Sequence, residues 1–302
     1  MRVPLTKLRS VFLCCVALVS LPGDAVANPP YAGRLYADYL GGRVVRVSGA
    51  GEIEWEFPGR KADQCELLPN GNVFFCDLDG LKEVSPDKKV VWEYRPKAPG
   101  LLHFFQRLPD GSVLVAESLR SRLLEIGRDG EVKKEIPLPA QPKAINSHQF
   151  RGVRKLEDGR YLVCMMEERK VVEVSPEGKV LRDLPMPGFP CEALPLPNGH
   201  LLVTMYGPGR VMEFDPAMQV VWEIGETEIP GNPLRIPYGV ERLANGNTVV
   251  CNSLTHGFVG KQPQAFEVTR DKQLVWELAD HVRFKNVAYI QTLLPARGES
   301  AR

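Results

Sequence analysis

Short apolar runs alternate with turn signals along most of the chain, and residues 67–94 show the arrangement most clearly. Their sequence is LLPNGNVFFCDLDGLKEVSPDKKVVWEY. Two apolar runs flank a turn at residues 69–71, a third run ends at Val84, and a second turn leads to a run that holds Trp92. Asn-Gly turns between short runs of β-branched and aromatic residues are typical of antiparallel hairpins. The stretch therefore predicts a small antiparallel sheet.

The same unit recurs along the chain. The hairpin turn returns five times and ends each time in a glycine: Gly71, Gly111, Gly159, Gly199 and Gly246. The position of Trp92 returns six times, in segments that align without a gap: Trp55, Trp92, Lys134, Arg182, Trp222 and Trp276. Six units of roughly 40 to 50 residues, each with about four short strands, are typical of a β-propeller. We predict an all-β, six-bladed β-propeller with four-stranded blades over residues 28–302.

The two ends of the pattern favour a closed ring over the alternative, a linear stack of hairpins. The first unit of the chain lacks its first strand and its turn. The segment NVAYIQTLL near the C-terminus instead matches the first strand of a unit, and the other strands of that unit do not follow it. Leu294 is expected to take the place of the leucine that precedes each turn glycine by three residues. We therefore predict that the C-terminal strand completes the N-terminal blade, because closure removes the exposed edges of a linear stack.

The repeat unit E-[VF]-[SD]-P-x-G-x-V-V-W-E, which follows L-P-N-G-N, resembles the repeats of PQQ-like (quinoprotein-like) and arylsulfotransferase-like propellers. The resemblance covers almost all of residues 28–302 and implies the propeller fold. Arylsulfotransferase-like enzymes use a nucleophilic histidine with further histidine and arginine residues. Quinone-holding enzymes usually have eight blades and a vicinal disulfide, and no Cys-Cys pair follows residue 27. We therefore expect no PQQ, and Ca²⁺ is the one cofactor for which the sequence offers candidate ligands.

The N-terminal segment predicts export. Arg2, Lys7 and Arg9 precede an apolar run over residues 11–21, and an Ala-Val-Ala sequence ends at Ala27. A basic start, a short apolar core and an A-x-A site are typical of a Sec signal peptide. The apolar run is shorter than the roughly 20 residues that span a bilayer. We expect cleavage after Ala27 and a periplasmic or secreted protein, with an uncleaved anchor as the alternative.

Composition and charge limit the kinds of binding partner that we expect for this protein. The 302 residues are 44% hydrophobic and 25% charged, as in a globular protein with a large core. The whole chain has a formal net charge of +1, and residues 1–27 carry three bases and one acid, so the remainder is near −1. No basic run is present, so we expect neither nucleic acid nor an anionic membrane surface as a partner. We expect a small molecule or another envelope protein, and no integral membrane segment after cleavage.

The loops predict which face of the ring carries the site. The Asn-Gly turns barely vary, whereas the connections on the opposite face are long and unlike one another, as over residues 138–150, 225–237 and 252–264. Variable loops on a rigid ring are where binding residues usually lie. We therefore place the site on this face, called the loop face below, at the mouth of the central channel.

Polar residues near the loop face are the candidate ligands. A two-residue turn at Asn70-Gly71 would place Asp77 opposite Gln64. The full candidate set for ligand binding is Asp38, Gln64, Asp77, His103, Glu117, His148, Arg151, Glu192, Tyr238, Asn252 and His256. The alternative is that the polar groups at strand ends bond to backbone N–H groups of neighbouring loops.

Enzymatic functions are alternatives to binding. His103, His148 and His256 fall on the loop face. In a sulfuryl transferase, His148 could act with Arg151, or His256 with Lys261. Six-bladed lactonase-type propellers instead hold a divalent cation at the channel mouth with carboxylate and amide oxygens, the ligands that suit Ca²⁺. The candidates for such a site are Asp38, Asp77, Glu192 and Asn252. A histidine with no catalytic duty is the simpler interpretation for each of the three.

Cysteines and tryptophans are expected to serve packing. Cys76, Cys164 and Cys251 share one repeat position that holds Ala or Thr in the other units, which indicates a small buried side chain. Cys65 is expected opposite Cys76, where an exported protein could form a disulfide. The four tryptophans share one outer-strand position, which favours packing between blades over a carbohydrate platform.

The sequence thus predicts an exported propeller that binds a ligand or a protein partner through its loop face. The alternative is a propeller enzyme, either a sulfuryl transferase or a metal-assisted, lactonase-type hydrolase that uses histidines or carboxylates at the channel mouth. A structural scaffold in an envelope complex is a third interpretation, because this fold serves binding proteins and enzymes alike.

Overall fold

A computed structural model of the chain describes residues 31–97, 101–139, 149–231 and 233–295. Residues 1–27, where the signal peptide is predicted, lie outside this range. The described residues form six four-stranded antiparallel sheets and one turn of 3-10 helix, Ser118–Arg120. The prediction of an all-β, six-bladed propeller is confirmed. None of the described segments forms a helix long and apolar enough to cross a membrane.

The blades follow one another along the chain, and within each blade the strands are named here A to D from the channel outwards. Blade 1 consists of β24 (Val287–Leu293), β1 (Gly33–Asp38), β2 (Arg43–Ser48) and β3 (Ile53–Pro58). Blade 2 consists of β4 (Gln64–Leu67), β5 (Val73–Asp77), β6 (Gly80–Val84) and β7 (Val90–Tyr94). Blade 3 consists of β8 (Phe105–Arg107), β9 (Val113–Glu117), β10 (Arg122–Ile126) and β11 (Val132–Pro137).

The second half of the ring repeats this order. Blade 4 consists of β12 (Phe150–Lys155), β13 (Tyr161–Met165), β14 (Lys170–Val174) and β15 (Val180–Pro185). Blade 5 consists of β16 (Pro190–Pro195), β17 (Leu201–Met205), β18 (Arg210–Phe214) and β19 (Val220–Gly225). Blade 6 consists of β20 (Pro237–Arg242), β21 (Thr248–Asn252), β22 (Ala265–Val268) and β23 (Leu274–Leu278).

The ring closes through β24, which pairs antiparallel with β1 along the whole of β1. The prediction that the C-terminal strand completes the first blade is confirmed. The expected leucine position is wrong by one residue, because Leu293 rather than Leu294 lies opposite Gly33. Both open edges of a linear stack are thereby paired, which is the advantage of a closed ring.

The Asn-Gly turns hold three residues in the loop, which corrects the two-residue turn predicted from the sequence. In blade 2 the Leu68 N–H donates to the Asn72 carbonyl at 2.8 Å, and the Gly71 N–H donates to the Leu68 carbonyl at 2.9 Å. Gly71 has a φ of +84°, so a tight turn is followed by a glycine in the left-handed region, as in three-residue hairpin loops. The pairing of the two strands shifts by one residue, and Gln64 lies opposite Cys76.

The same shift separates the two cysteines that were expected to face each other. Cys65 lies opposite Phe75 and packs with blade 1, whereas Cys76 packs on the other side of its sheet with blade 3. The expected placement of Cys65 opposite Cys76 is therefore wrong, and because a cross-strand disulfide needs side chains that face each other, the disulfide that the sequence left open does not form. All five cysteines of the described residues are buried free thiols, which fits their expected packing role.

The outer-strand tryptophans lie between blades, as predicted. The indole N–H of Trp92 donates to the Arg128 carbonyl of blade 3 at 2.9 Å, and that of Trp222 donates to the Arg270 carbonyl of blade 6 at 2.8 Å. Trp55, Trp222 and Trp276 are buried. Buried indoles usually find such a partner; for Trp92 and Trp222 it belongs to the next blade, so these two bonds also set the spacing of the ring, whereas Trp55 Nε1 has no hydrogen bond within the described residues.

A second set of contacts joins the blades inside the channel. Polar side chains on the A strands bond to the A strand of the following blade, and in most cases an amide or carboxylate oxygen accepts a backbone N–H. These contacts are Gln291 to Leu67 (2.6 Å), Gln64 to Phe105 (2.7 Å), Gln106 to Lys155 (2.5 Å), Arg154 to Glu192 (2.5 Å), Glu192 to Val240 (2.9 Å) and Glu241 to Thr292 (3.0 Å). They link every pair of neighbouring blades and keep the innermost strands in register.

Candidate functional site

Two of the candidate strand-end residues hold loops in place. Asp38 accepts the backbone N–H groups of Gly41 and Asn286 at 3.1 and 3.0 Å. The Asn252 amide donates to the carbonyls of Pro233 and Pro263 at 2.6 and 3.0 Å, and so ties together two long loops, one between β19 and β20 and the other between β21 and β22. This is the arrangement described by the alternative interpretation, in which strand-end polar groups satisfy the backbone of neighbouring loops.

The other acidic candidates are also paired. Asp77 accepts a bond from the Lys82 ammonium at 2.5 Å, and Glu117 accepts one from Arg122 Nε at 2.5 Å. Within the described residues no group of three or more His, Cys, Asp or Glu side chains is placed to hold a metal ion. The four residues considered as calcium ligands come from four different blades, and none lines the cavity described below: Asp38, Asp77, Glu192 and Asn252.

A different set of polar side chains meets at the channel mouth. Arg151 on β12 donates from Nη1 to His103 Nδ1 and to the Tyr238 hydroxyl, both at 2.6 Å. The Tyr238 hydroxyl donates to Asp63 Oδ1 at 2.9 Å, and Asp63 Oδ2 lies 3.0 Å from His103 Nδ1. All four residues are buried. They come from blades 2, 3, 4 and 6, so this network, called the floor network below, spans the channel.

Nδ1 of His103 lies between two groups of opposite charge. A guanidinium nitrogen can only donate hydrogen bonds, and a carboxylate oxygen can only accept them. Arg151 Nη1 lies 2.6 Å from Nδ1, and Asp63 Oδ2 lies 3.0 Å from the same atom. The imidazole ring is therefore held between the Arg151 guanidinium and the Asp63 carboxylate.

The floor network forms the base of a cavity of about 420 Å³ that opens on the loop face. Aromatic and apolar side chains make up most of its wall, and small polar residues and a histidine lie nearer the opening. The lining residues are Tyr39, Asp63, Arg151, Met166, Tyr206, Tyr238, Ser253, Thr255, His256, Asn286 and Ala288. Apolar walls around a few fixed polar groups are the usual make-up of a small-molecule site.

The cavity is closed at its inner end by packed aromatic rings. Tyr238 packs on Phe104 with ring centroids 5.2 Å apart, and Phe104 meets Tyr289 edge-on at 6.3 Å. Gly239 allows this close approach, because a Cβ there would lie 2.6 Å from the Tyr289 ring. These rings separate the cavity from the polar channel that opens on the Asn-Gly turn face and is lined by Glu66, Gln106 and Glu241, among others.

The wall nearest solvent comes from the loop between β21 and β22. His256 on this loop packs edge-on against Tyr206, with ring centroids 5.9 Å apart. The Leu254 N–H donates to the Asn286 side chain, and the Asn252 amide donates to the Pro263 carbonyl at the other end of the loop. The longest loop on this face is therefore held against the channel by side-chain bonds at its base.

Burial keeps the cavity phenols neutral. It raises the pKa of Tyr238 well above the ordinary value, an effect that the Asp63 charge reinforces and Arg151 opposes. Burial likewise raises the pKa of Tyr39 and of Tyr206. A tyrosine with a raised pKa remains a hydrogen-bond donor throughout the physiological pH range.

Four of the sequence candidates converge here: His103, Arg151, Tyr238 and His256. His148 lies outside the described residues, and Lys261 is exposed on the loop without lining the cavity. The remaining candidates serve the loops and the blades: Asp38, Gln64, Asp77, Glu117, Glu192 and Asn252.

Sequence reasoning missed several lining residues by one position. Asp63 precedes the candidate Gln64, Tyr39 follows Asp38, and Tyr206 and Ser253 follow the last residues of β17 and β21. A shift of one residue along a strand turns a side chain to the other side of the sheet. The three-residue turn was the signal that could have corrected the choice of Gln64 over Asp63, because it shifts the pairing of β4 with β5 by one residue.

Comparison with known proteins supports the fold and leaves the activity undefined. No family model matches the chain, and no curated protein matches it. A protein of unknown function from Bacteroides caccae is 25% identical, with a TM-score of 0.77 over 87% of this chain and 99% of that one. Virginiamycin B lyase from Staphylococcus aureus is 13% identical, with a TM-score of 0.59 over 87% and 88%.

A third solved structure, from a nidogen/laminin complex, is 12% identical, with a TM-score of 0.63 over 87% of this chain and 98% of the other. These similar structures are β-propeller proteins. The similarity to the lyase and to the nidogen/laminin chain is one of fold alone. Membership of the PQQ-like or arylsulfotransferase-like family is not confirmed.

Proposed function

We propose that this protein binds a small molecule in the cavity on its loop face. The observation that carries the proposal is the cavity itself, whose volume of about 420 Å³ lies within the usual range of about 300–1,000 Å³ for ligand sites. Its inner end is closed, so a ligand would enter and leave from the loop face. Burial of an apolar body against the tyrosines would supply most of the affinity.

The floor network supports the proposal because its geometry is fixed before any ligand arrives. Arg151 holds two partners at once, and Tyr238 joins the third. Prearranged polar groups lower the cost of ordering a site on binding. Four blades would have to move for this floor to change shape, so we expect a site that selects its ligand with little rearrangement.

A fragment screen tests this proposal. The chain without residues 1–27 would be screened by ligand-observed NMR and the hits repeated on two variants of one loop. Thr255→Trp fills the opening of the cavity, whereas Val259→Trp changes an exposed residue of the same loop that does not line it. We expect hits that Thr255→Trp abolishes and Val259→Trp leaves intact. Hits that are indifferent to Thr255→Trp would contradict the proposal.

We further propose that the protein acts after export, with cleavage behind Ala27. The basis is the arrangement of basic residues, apolar run and Ala-Val-Ala site at the N-terminus. Mass spectrometry of the protein recovered from the extracytoplasmic fraction should give a chain that begins at Asn28. A chain that retains Met1 in the cytoplasm would rule this out.

Catalysis at the same cavity is the second candidate function. It is favoured by the positions of His256 on the wall and of His103 beside Asp63 in the floor network. Sulfuryl transfer would need one of these histidines as nucleophile, and lactone hydrolysis would need a bound cation. Assays with aryl sulfates and lactones on wild type and His256→Ala distinguish the two candidates. If His256→Ala did not reduce the turnover, His256 would take no part in the reaction.

A further inference from the structure

The floor of the cavity pairs one positive with one negative group. Among the described lining residues, Asp63 and Arg151 are the charged side chains, apart from the exposed His256 near the opening. His103 does not line the cavity, and its Nδ1 lies 2.6 Å from Arg151 Nη1 and 3.0 Å from Asp63 Oδ2. Tyr238 joins the two charges through its hydroxyl. Among the described lining residues, the floor therefore places one positive side chain close to one negative side chain, and it both donates and accepts hydrogen bonds.

This balance disfavours an ionic head group at the floor. A carboxylate drawn to Arg151 would come to lie near Asp63, and an ammonium drawn to Asp63 would come to lie near Arg151. Either ion would lose its hydration and disturb a pair of charges that already offset each other. A neutral group that both accepts and donates loses less hydration and meets complementary partners.

We propose that the ligand is a neutral aromatic molecule whose inner end is a carboxamide or a similar group that both donates and accepts hydrogen bonds. This inference rests on the proposed binding function. The aromatic body would lie between Tyr39 and Tyr206, where rings pack in offset or edge-on geometry. The inner group would accept from Arg151 or a tyrosine hydroxyl and donate to Asp63. Specificity would follow from the cost of leaving any of these buried groups unpaired.

Three probes of one size and different charge test this inference: benzamide, benzoate and benzylammonium. Dissociation constants would be measured by NMR titration of the chain without residues 1–27 at about pH 8. At that pH ordinary histidines are neutral and benzoate is ionised. We expect benzamide to bind at least about tenfold more tightly than either ion. Benzoate or benzylammonium binding as tightly as benzamide would overturn the inference.

One substitution checks the origin of the preference. Asp63→Asn keeps the shape of the floor and removes its negative charge. The affinity for benzoate should therefore rise about tenfold relative to the affinity for benzamide. Asp79→Asn, an exposed residue outside the cavity, should leave the order of the three probes unchanged. An Asp63→Asn protein that folds and binds the three probes in the wild-type order of affinity would also overturn the inference. If that variant does not fold, the order of the three affinities measured on the wild-type protein decides whether the inference stands.

The two proposals fail in different ways. Failure of all three probes together with an empty fragment screen would overturn the binding function itself. A screen that finds only ionic ligands, each displaced by Thr255→Trp, would leave the binding function standing and overturn the neutral ligand class.

Discussion

Arg151 joins two members of the floor network through one of its nitrogens. Its Nη1 donates both of its hydrogens, one to His103 and one to Tyr238. The first bond positions the His103 ring, and the second positions the hydroxyl that bonds to Asp63. Buried networks of this kind stabilise a fold only when every member is satisfied. Removal of any one side chain of the network should therefore deprive the others of a hydrogen-bond partner and destabilise the fold.

Tyr238→Phe tests this at the residue scale. The ring would still pack on Phe104, but Arg151 and Asp63 would each lose a partner in a buried place. We expect the free energy of unfolding to fall by about 1–3 kcal/mol, measured by urea denaturation. Tyr36→Phe is the control, because Tyr36 is buried and its hydroxyl has no hydrogen bond within the described residues. An equal effect of the two substitutions would refute a special role for the Tyr238 hydroxyl.

The cysteines give a second prediction at this scale. Cys65 and Cys76 lie on opposite sides of their sheet, and the five cysteines of the described residues are free thiols. Thiol titration of the denatured, unreduced chain without residues 1–27 should therefore find five reactive groups. Three groups would reveal a disulfide and contradict the observed register, since cross-strand disulfides need side chains that face each other.

At the scale of the strands, the same kind of contact recurs around the channel. A side chain on one A strand accepts a hydrogen bond from the next blade. Gln106 and Gln291 perform this role as amides, and Glu241 performs it as a carboxyl. Burial raises the pKa of Glu241 to about 7, although hydrogen bonds from Thr292 lower this pKa and offset part of the rise. An unfolded glutamate has a pKa near 4.3. The folded chain therefore holds this proton more tightly than the unfolded chain.

Glu241→Gln should change the pH dependence of stability. The contribution of the raised pKa is fully present below about pH 4 and is lost as the pH rises through about 7. At pH 8 the variant should exceed wild type by roughly 1–3 kcal/mol in unfolding free energy, and at pH 5 the difference should be smaller. Urea denaturation at both pH values measures this. Glu277→Gln, at an exposed site, should show no such difference, and a parallel pH dependence of wild type and Glu241→Gln would refute the explanation.

At the scale of the whole molecule, closure makes the six blades one cooperative unit. β24 joins the C-terminal end of the described chain to the first blade, and its Val287 and Ile290 are buried in the core. Without β24, β1 would become an exposed inner edge and the channel would lose one of its walls. An exposed edge strand invites pairing between molecules.

Two truncations test the role of closure. Removal of residues 287–302 deletes β24, whereas removal of residues 296–302 leaves it whole. We expect the first variant to aggregate or to lose its cooperative thermal transition, and the second to melt within a few degrees of wild type. Calorimetry and size-exclusion chromatography report the two outcomes. A monomeric first variant with the melting temperature of the full chain would show that the other blades hold together without closure.

The sequence by itself determined the repeat, the number of blades, the closing strand and the face that carries the variable loops. These features depend on local chemistry, because turn glycines and alternating apolar residues favour hairpins wherever they occur. It also identified His103, Arg151, Tyr238 and His256 as members of one face. The N-terminal prediction concerns residues outside the described range and stays a prediction.

Only the tertiary structure decided which side chains meet in the cavity. An Asn-Gly turn fits loops of two or three residues, and the choice between them moves every paired side chain by one position. In blade 2, that single residue separates Asp63 from Gln64. The meeting of Arg151 with Asp63 and Tyr238 joins three blades across the channel, and such a contact depends on how the ring closes.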